Sequence, residues 1–189
     1  GVGGEVRVIE SVSEARYQDD VLDVLDLDNV DVDELEFAKV QPMAGKAAYE
    51  TIVRAAELAM AGEIDAIVTA PIHKEALNLA GYHYDGHTGL LRKLTGAESV
   101  TMMLVADNFR VTHISTHCAL REAIERVKKQ RILEVIHLTN ETLKQMGIHD
   151  PHIAVAGLNP HSGEGGLFGT EEIEEITPAI EKASAEGIN

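Results

Sequence analysis

Apolar and polar positions along the chain follow two periods, and the switches between them mark the elements. Residues 5–10 (EVRVIE) alternate with period two and predict a short strand. A polar stretch at 11–19 reads as a loop, and 21–27 as a second strand or as one helical turn plus strand. Residues 45–62 change to the helical period, with Ala48, Ile52, Ala55, Ala56 and Ala59 on one face and Gly62 as the stop. Residues 64–70 (IDAIVTA) form the short, mostly apolar run expected of a buried parallel strand, and Pro71-Ile72-His73-Lys74 turns it into a helix. A loop at 81–88 and one or two helical turns at 90–94 come next. Residues 99–105 and 110–116 read as neighbouring strands joined by a turn at Asp107-Asn108. Helices are predicted at 119–128 and 131–146, the second ended by Gly147. A last strand at 152–156 leads into a glycine-rich loop, and a helical run at 170–185 follows with Thr170 as its N-cap. Strands alternating with helices define an α/β chain with a mostly parallel sheet and an antiparallel hairpin over 99–116.

Composition narrows the classes of function. The 189 residues, 44% apolar and 25% charged, suffice for one sizeable core or two small lobes. A net charge of −16 argues against a nucleic-acid partner, and an anionic substrate would need a local positive site. The acids at 19–33 match no calcium-loop spacing and read as a solvated acidic edge. One cysteine, Cys118, excludes an intrachain disulfide and fits a reducing, cytoplasmic setting. No run is long enough to span a membrane. The opening Gly1-Val2-Gly3-Gly4 lacks a methionine and reads as an expression scar, a cleavage site or the edge of a fragment.

The candidate chemistry lies at the ends of the apolar runs. Gly157-Leu158-Asn159-Pro160-His161-Ser162-Gly163-Glu164-Gly165-Gly166 stands between a predicted strand and a predicted helix, where α/β sheets bind ligands. Its glycines would let backbone approach a ligand, and the helix start would offer free N–H groups. His73 with Lys74, His117 after Thr116, and His161 after Pro160 all leave such runs, and His87 with Thr88 adds another from a loop. Parallel strands bring these exits to one crevice, where neutral imidazoles could hold Zn²⁺ or a similar ion. Lys74 could meet a phosphate or carboxylate, or move a proton. The remaining histidines read as structural or surface groups, and Cys118 as a small buried residue. No nucleophile elbow, phosphate-binding P-loop or dinucleotide fingerprint is present.

Taken together, Ala70-Pro71-Ile72-His73-Lys74, Gly86-His87-Thr88, Thr116-His117 with Leu120-Arg121, and the 157–166 loop with Gly169-Thr170-Glu171-Glu172 resemble the 4-hydroxythreonine-4-phosphate dehydrogenase (PdxA) family. The match runs in order from about Gln41 to the end. The resemblance implies a three-layer α/β/α fold like that of isocitrate and isopropylmalate dehydrogenases, here incomplete, with 1–85 in a first lobe and 86–189 in a second. It also implies a cytoplasmic homodimer, related to pyridoxine biosynthesis, that oxidises and decarboxylates a phosphorylated hydroxy acid with NAD or NADP. A divalent metal (Zn, Mg, Mn or Co) would be held by three histidines, two of which match His117 and His161. Lys74 would act with them in catalysis, and His87 and Thr88 would contact substrate. Gln41-Pro42-Met43 with Ala47-Ala48-Tyr49, and His73-Lys74-Glu75-Ala76-Leu77 with Ala80-Gly81-Tyr82-His83-Tyr84, look closer to the 4-phospho-D-threonate or 4-phospho-D-erythronate branch.

The chain also departs from the family. Gly89 replaces the Glu usual after Gly-His-Thr. The family's N-terminal glycine-rich block is missing, as is the C-terminal region with the third metal histidine, the remaining substrate ligands and most of the cofactor pocket. The expectation is that these residues alone do not turn over. Two other readings stand beside it: a non-catalytic metabolite-binding remnant, and a metal-dependent hydrolase using the same histidines.

Overall fold

The structure, a computed structural model, describes residues 4–189; glycines 1 and 3 and Val2, read above as part of a scar or edge, lie outside the described residues. The chain divides into two compact units, one ending at Glu98 and one at Ser99–Asn189. Helix and strand are mixed in both.

In the first unit, β1 (Glu5–Ile9) and β2 (Val21–Leu25) pair in parallel, with Arg7 opposite Asp23. Arg7 Nε donates to Asp23 Oδ1 at 2.7 Å, and the Arg16 amide donates to Oδ2 at 2.7 Å. Asp23 therefore leaves the solvated acidic edge and ties the strand pair to the loop before it. The long helix α1 (Pro42–Met60) buries Ala47, Ile52, Ala56 and Leu58. Pro42 sits in its first turn, where a missing N–H costs nothing. Gly62 follows it with φ +73°, the left-handed stop expected from the sequence. Helices α2 (Lys74–Leu79) and α3 (His87–Thr95) pack against α1. At the α1–α2 crossing, a Cβ on Gly45 would stand 2.0 Å from the Ala76 carbonyl oxygen. Only glycine lets the two backbones meet there. Tyr49 stacks on Tyr82 at 3.7 Å and faces Tyr84 at 6.3 Å, so the tyrosines of the branch-like segments form one cluster.

The second unit opens with the antiparallel hairpin foreseen in the sequence, β3 (Met103–Ala106) and β4 (Phe109–Thr112). Helix α4 (Leu120–Glu125) is short, and α5 (Lys129–Gln145) is long. The core joins Ile132, Leu133 and Ile136 of α5 to Ile176, Ala179 and Ala183. Ala179 and Ala183 belong to α6 (Thr177–Ala185), which continues a π-helical turn at Glu172–Ile176. The α5 N-terminus has no side-chain cap from Lys128, but the Glu175 carboxylate accepts from the Lys129 amide at 2.6 Å and from Lys128 Nζ at 2.9 Å. That partner holds the Glu175 carboxyl below its ordinary range, the Lys128 ammonium contributing most.

Two expectations change. Residues 64–70 and 152–156 are not strands: among the described residues neither has a ladder partner, and Val68 is 98% exposed. An apolar extended run becomes a strand only when another backbone takes up its N–H and C=O groups. Ile153 has one such bond, to the Asn189 carbonyl. Thr170 caps through its backbone carbonyl, which accepts from the Ile173 and Glu174 amides, not through its hydroxyl.

Candidate functional site

The candidate residues fall into two groups, one in each unit. In the first, Lys74 is the exposed first residue of α2. His73 before it is the N-cap: its Nδ1 accepts from the Ala76 amide at 3.4 Å. The chain then returns through the loop at 81–86 to Gly86, which caps α3 with φ +144°. The Lys74 Cε lies 3.9 Å from the point where a Cβ on Gly86 would stand. The lysine stem thus runs along the start of α3, whose first residues are half-buried His87 and exposed Thr88. Cationic side chain, helix N-terminus, imidazole and hydroxyl are gathered in one turn, a set suited to an anionic ligand.

In the second unit, neither His117 nor His161 follows a strand, as β4 ends at Thr112 and 152–156 is unpaired. A crevice of about 270 Å³ lies between segments that precede them in the chain, and neither histidine lines it. Its walls include Thr112–Ser115 on one side and Val155, Ala156, Gly157 and Leu158 on the other. These are the segments that deliver His117 and His161. Both histidines are exposed and both hold left-handed backbone, with φ +50° and +52°. Such a backbone costs an L-residue roughly 1–2 kcal/mol, and strain of this kind gathers at functional positions. Neither ring makes a hydrogen bond among the described residues; Phe168 stands 6.5 Å from the His161 ring. By contrast, His83 bonds Asn78, His137 bonds Glu186, and His152 lies between Asp150 and Asn189.

The glycine-rich loop departs most from what its sequence suggests. From His161 to Gly165 five successive residues are left-handed, closing a turn over Pro160–Gly166. Inside it sits the Glu172 carboxylate, 7% exposed. Its Oε1 accepts from the Leu158 amide at 2.7 Å and the Asn159 amide at 2.6 Å, and its Oε2 from Asn159 Nδ2 at 2.9 Å. Asn159 Nδ2 also donates to Glu171 at 2.7 Å. The Asn159 amide, then its side chain, holds the Glu172 pKa down to about 2. Around this carboxylate side chains do not fit: a Cβ on Gly163 would lie 2.9 Å from Oε2, and one on Gly169 2.5 Å from Asn159 Nδ2. These glycines admit a side chain of the protein itself, and Glu172 takes the Leu158 and Asn159 amides. Sequence reasoning quoted Glu172 within the family motif but gave it no role, although an acid 13 residues beyond Asn159 in so glycine-dense a segment was the available sign.

Two imidazoles with unengaged nitrogens have the right chemistry for a divalent cation of the zinc type. Among the described residues no three His, Cys, Asp or Glu side chains gather closely enough to hold an ion unaided, so the pair would need a further ligand.

Residues 4–189 match the family described as pyridoxal phosphate biosynthetic protein PdxA. The chain is 48% identical over 189 residues to the 4-hydroxythreonine-4-phosphate dehydrogenase of Beijerinckia indica, covering 100% of this chain and 56% of that protein. It is 46% identical over 185 residues to the D-threonate 4-phosphate dehydrogenase of Salmonella typhimurium, covering 98% and 57%. The crystal structure of the 4-hydroxythreonine-4-phosphate dehydrogenase of Klebsiella pneumoniae superposes with a TM-score of 0.93 at 42% identity, over 98% of this chain and 56% of that one. The chain belongs to the PdxA family, and it spans little more than half the length of these relatives.

Proposed function

We propose that these residues form part of a dehydrogenase that oxidises a phosphorylated hydroxy acid, such as 4-phosphohydroxy-L-threonine or 4-phospho-D-threonate, and then releases CO₂. The relatives' names support a phosphorylated four-carbon acid and divide between the two substrates. The tyrosine cluster around Tyr49 lies in the segments that look like the D-threonate branch, which favours 4-phospho-D-threonate. The observation that carries the reading is that His117 and His161 are both exposed, both held in left-handed backbone and both without a ring hydrogen bond among the described residues.

In this reading His117 and His161 each give a neutral imidazole nitrogen to a divalent cation (Zn, Mg, Mn or Co). Bound there, such a cation lowers the cost of negative charge on a substrate oxygen. NAD or NADP would supply the hydride acceptor, and the protein would orient it. Lys74, with the N-terminus of α3, draws an anionic substrate group against the net charge of −16. His87 and Thr88 hydrogen-bond the substrate, and the Lys74 ammonium is placed to hold or pass a proton. The enzyme works as a homodimer.

The test uses the protein at the length of its relatives, with 4-phospho-D-threonate, NAD or NADP and each divalent metal, following NAD(P)H. Turnover is expected, with kcat/KM falling at least about 100-fold for Lys74→Ala and for His117→Ala or His161→Ala. Full rates in both histidine variants, or phosphate release that needs no NAD(P), would contradict the reading.

A further inference from the structure

We propose that Glu172 is a positioning residue for His161, setting where that ring stands through Leu158, Asn159 and Pro160. The inference rests on the reading that His161 binds a metal ion.

The chain from Gly157 to the ring has few free torsions. Glu172 Oε1 pins two consecutive amides, Leu158 and Asn159, and Oε2 pins the Asn159 side chain. Pro160, with its fixed φ, comes next. His161 is then the first of the left-handed residues. No lysine or arginine pairs with Glu172 among the described residues, so this buried carboxylate is stabilised by N–H groups, the Asn159 amide and side chain foremost. An arginine partner would have tied it to another part of the fold; the Leu158 and Asn159 donors tie it to the loop. The left-handed run of His161, Ser162 and Glu164 is unfavourable for each of these residues and persists only if its surroundings impose it. Glu172 and the glycines that admit it supply that constraint. Groups that orient a metal ligand without touching the metal typically change affinity by about 10- to 100-fold when removed.

The experiment compares Glu172→Ala, Glu172→Gln and His161→Ala in the full chain. It reads the ¹³Cα and ¹Hα shifts of residues 161–165, Co²⁺ affinity by absorbance, and Tm. Glu172→Ala is expected to lose the left-handed shift pattern and to weaken Co²⁺ binding about 10- to 100-fold while the far-UV circular dichroism stays native. Wild-type shifts and affinity in folded Glu172→Ala would overturn the proposal. Should that variant fail to fold, Glu172→Gln decides. It keeps an oxygen for the two amides but cannot accept from Asn159 Nδ2, so shifted signals and a severalfold weaker affinity support the proposal and wild-type values overturn it. His161→Ala separates the two claims: if it leaves Co²⁺ binding intact, the metal reading fails, and the shifts alone judge the role of Glu172.

Discussion

A left-handed histidine is expensive, and the expense can be measured. Glycine adopts φ near +50° without the Cβ clash that alanine meets. His161→Gly should therefore be more stable than His161→Ala by roughly 1 kcal/mol in urea unfolding, although both lose the ring. The same comparison at His117 should have the same sign. Equal stabilities would mean that the turn does not impose its backbone on these residues. Gly45 is the opposite case, a glycine inside a helix where alanine is normally better. Here a methyl would meet the Ala76 carbonyl at 2.0 Å, so Gly45→Ala should cost about 1–3 kcal/mol in chemical denaturation. It should also disturb the α2 start that carries Lys74. Sequence periodicity took Gly45 for the helix's first residue; its role is set by α2, nearly 30 residues on, which no local pattern reveals.

At the scale of elements, the second unit depends on α5 packing against α6 and the π-helical turn. Ile132 is 1% exposed and contacts both sides of that core. Ile132→Ala should lower unfolding free energy by about 2–5 kcal/mol, read from denaturant titration. The turn over Pro160–Gly166 is sensitive to acid. Its anchor Glu172 has a folded pKa of about 2 against an ordinary 4.5. A lowered carboxyl pKa contributes stability that is complete above the ordinary value and lost as pH falls through the folded one. Unfolding free energy read in urea should therefore fall as pH drops from 4.5 toward about 2, and in Glu172→Gln that part of the fall should be absent. Helices were the elements most legible in the sequence: α1 and α5 followed from their apolar spacing and glycine stops. The hairpin over β3 and β4 followed from alternation around Asp107-Asn108. The runs at 64–70 and 152–156 misled because an apolar stretch states a preference for extended backbone but not whether a partner backbone is there to meet it.

For the whole molecule, motif recognition reached further than periodicity. The ordered blocks from Pro71 to Glu172 pointed to the PdxA family, to which the chain belongs. The spacing of those blocks could not show that Glu172, and not a ligand, fills the glycine loop, because side-chain insertion is a tertiary event. Among the described residues no helix is long and apolar enough to cross a membrane. The functional reading proposes that His117 and His161, 44 positions apart, serve one cation. Ring ¹⁵N spectra of histidine-labelled chain during a Zn²⁺ titration address this directly. The account predicts that both rings shift in step as a single ion binds, and that alanine at either position silences the response of the other. Rings that respond at different zinc concentrations, or a ring at 117 that still responds in His161→Ala as in wild type, would contradict it.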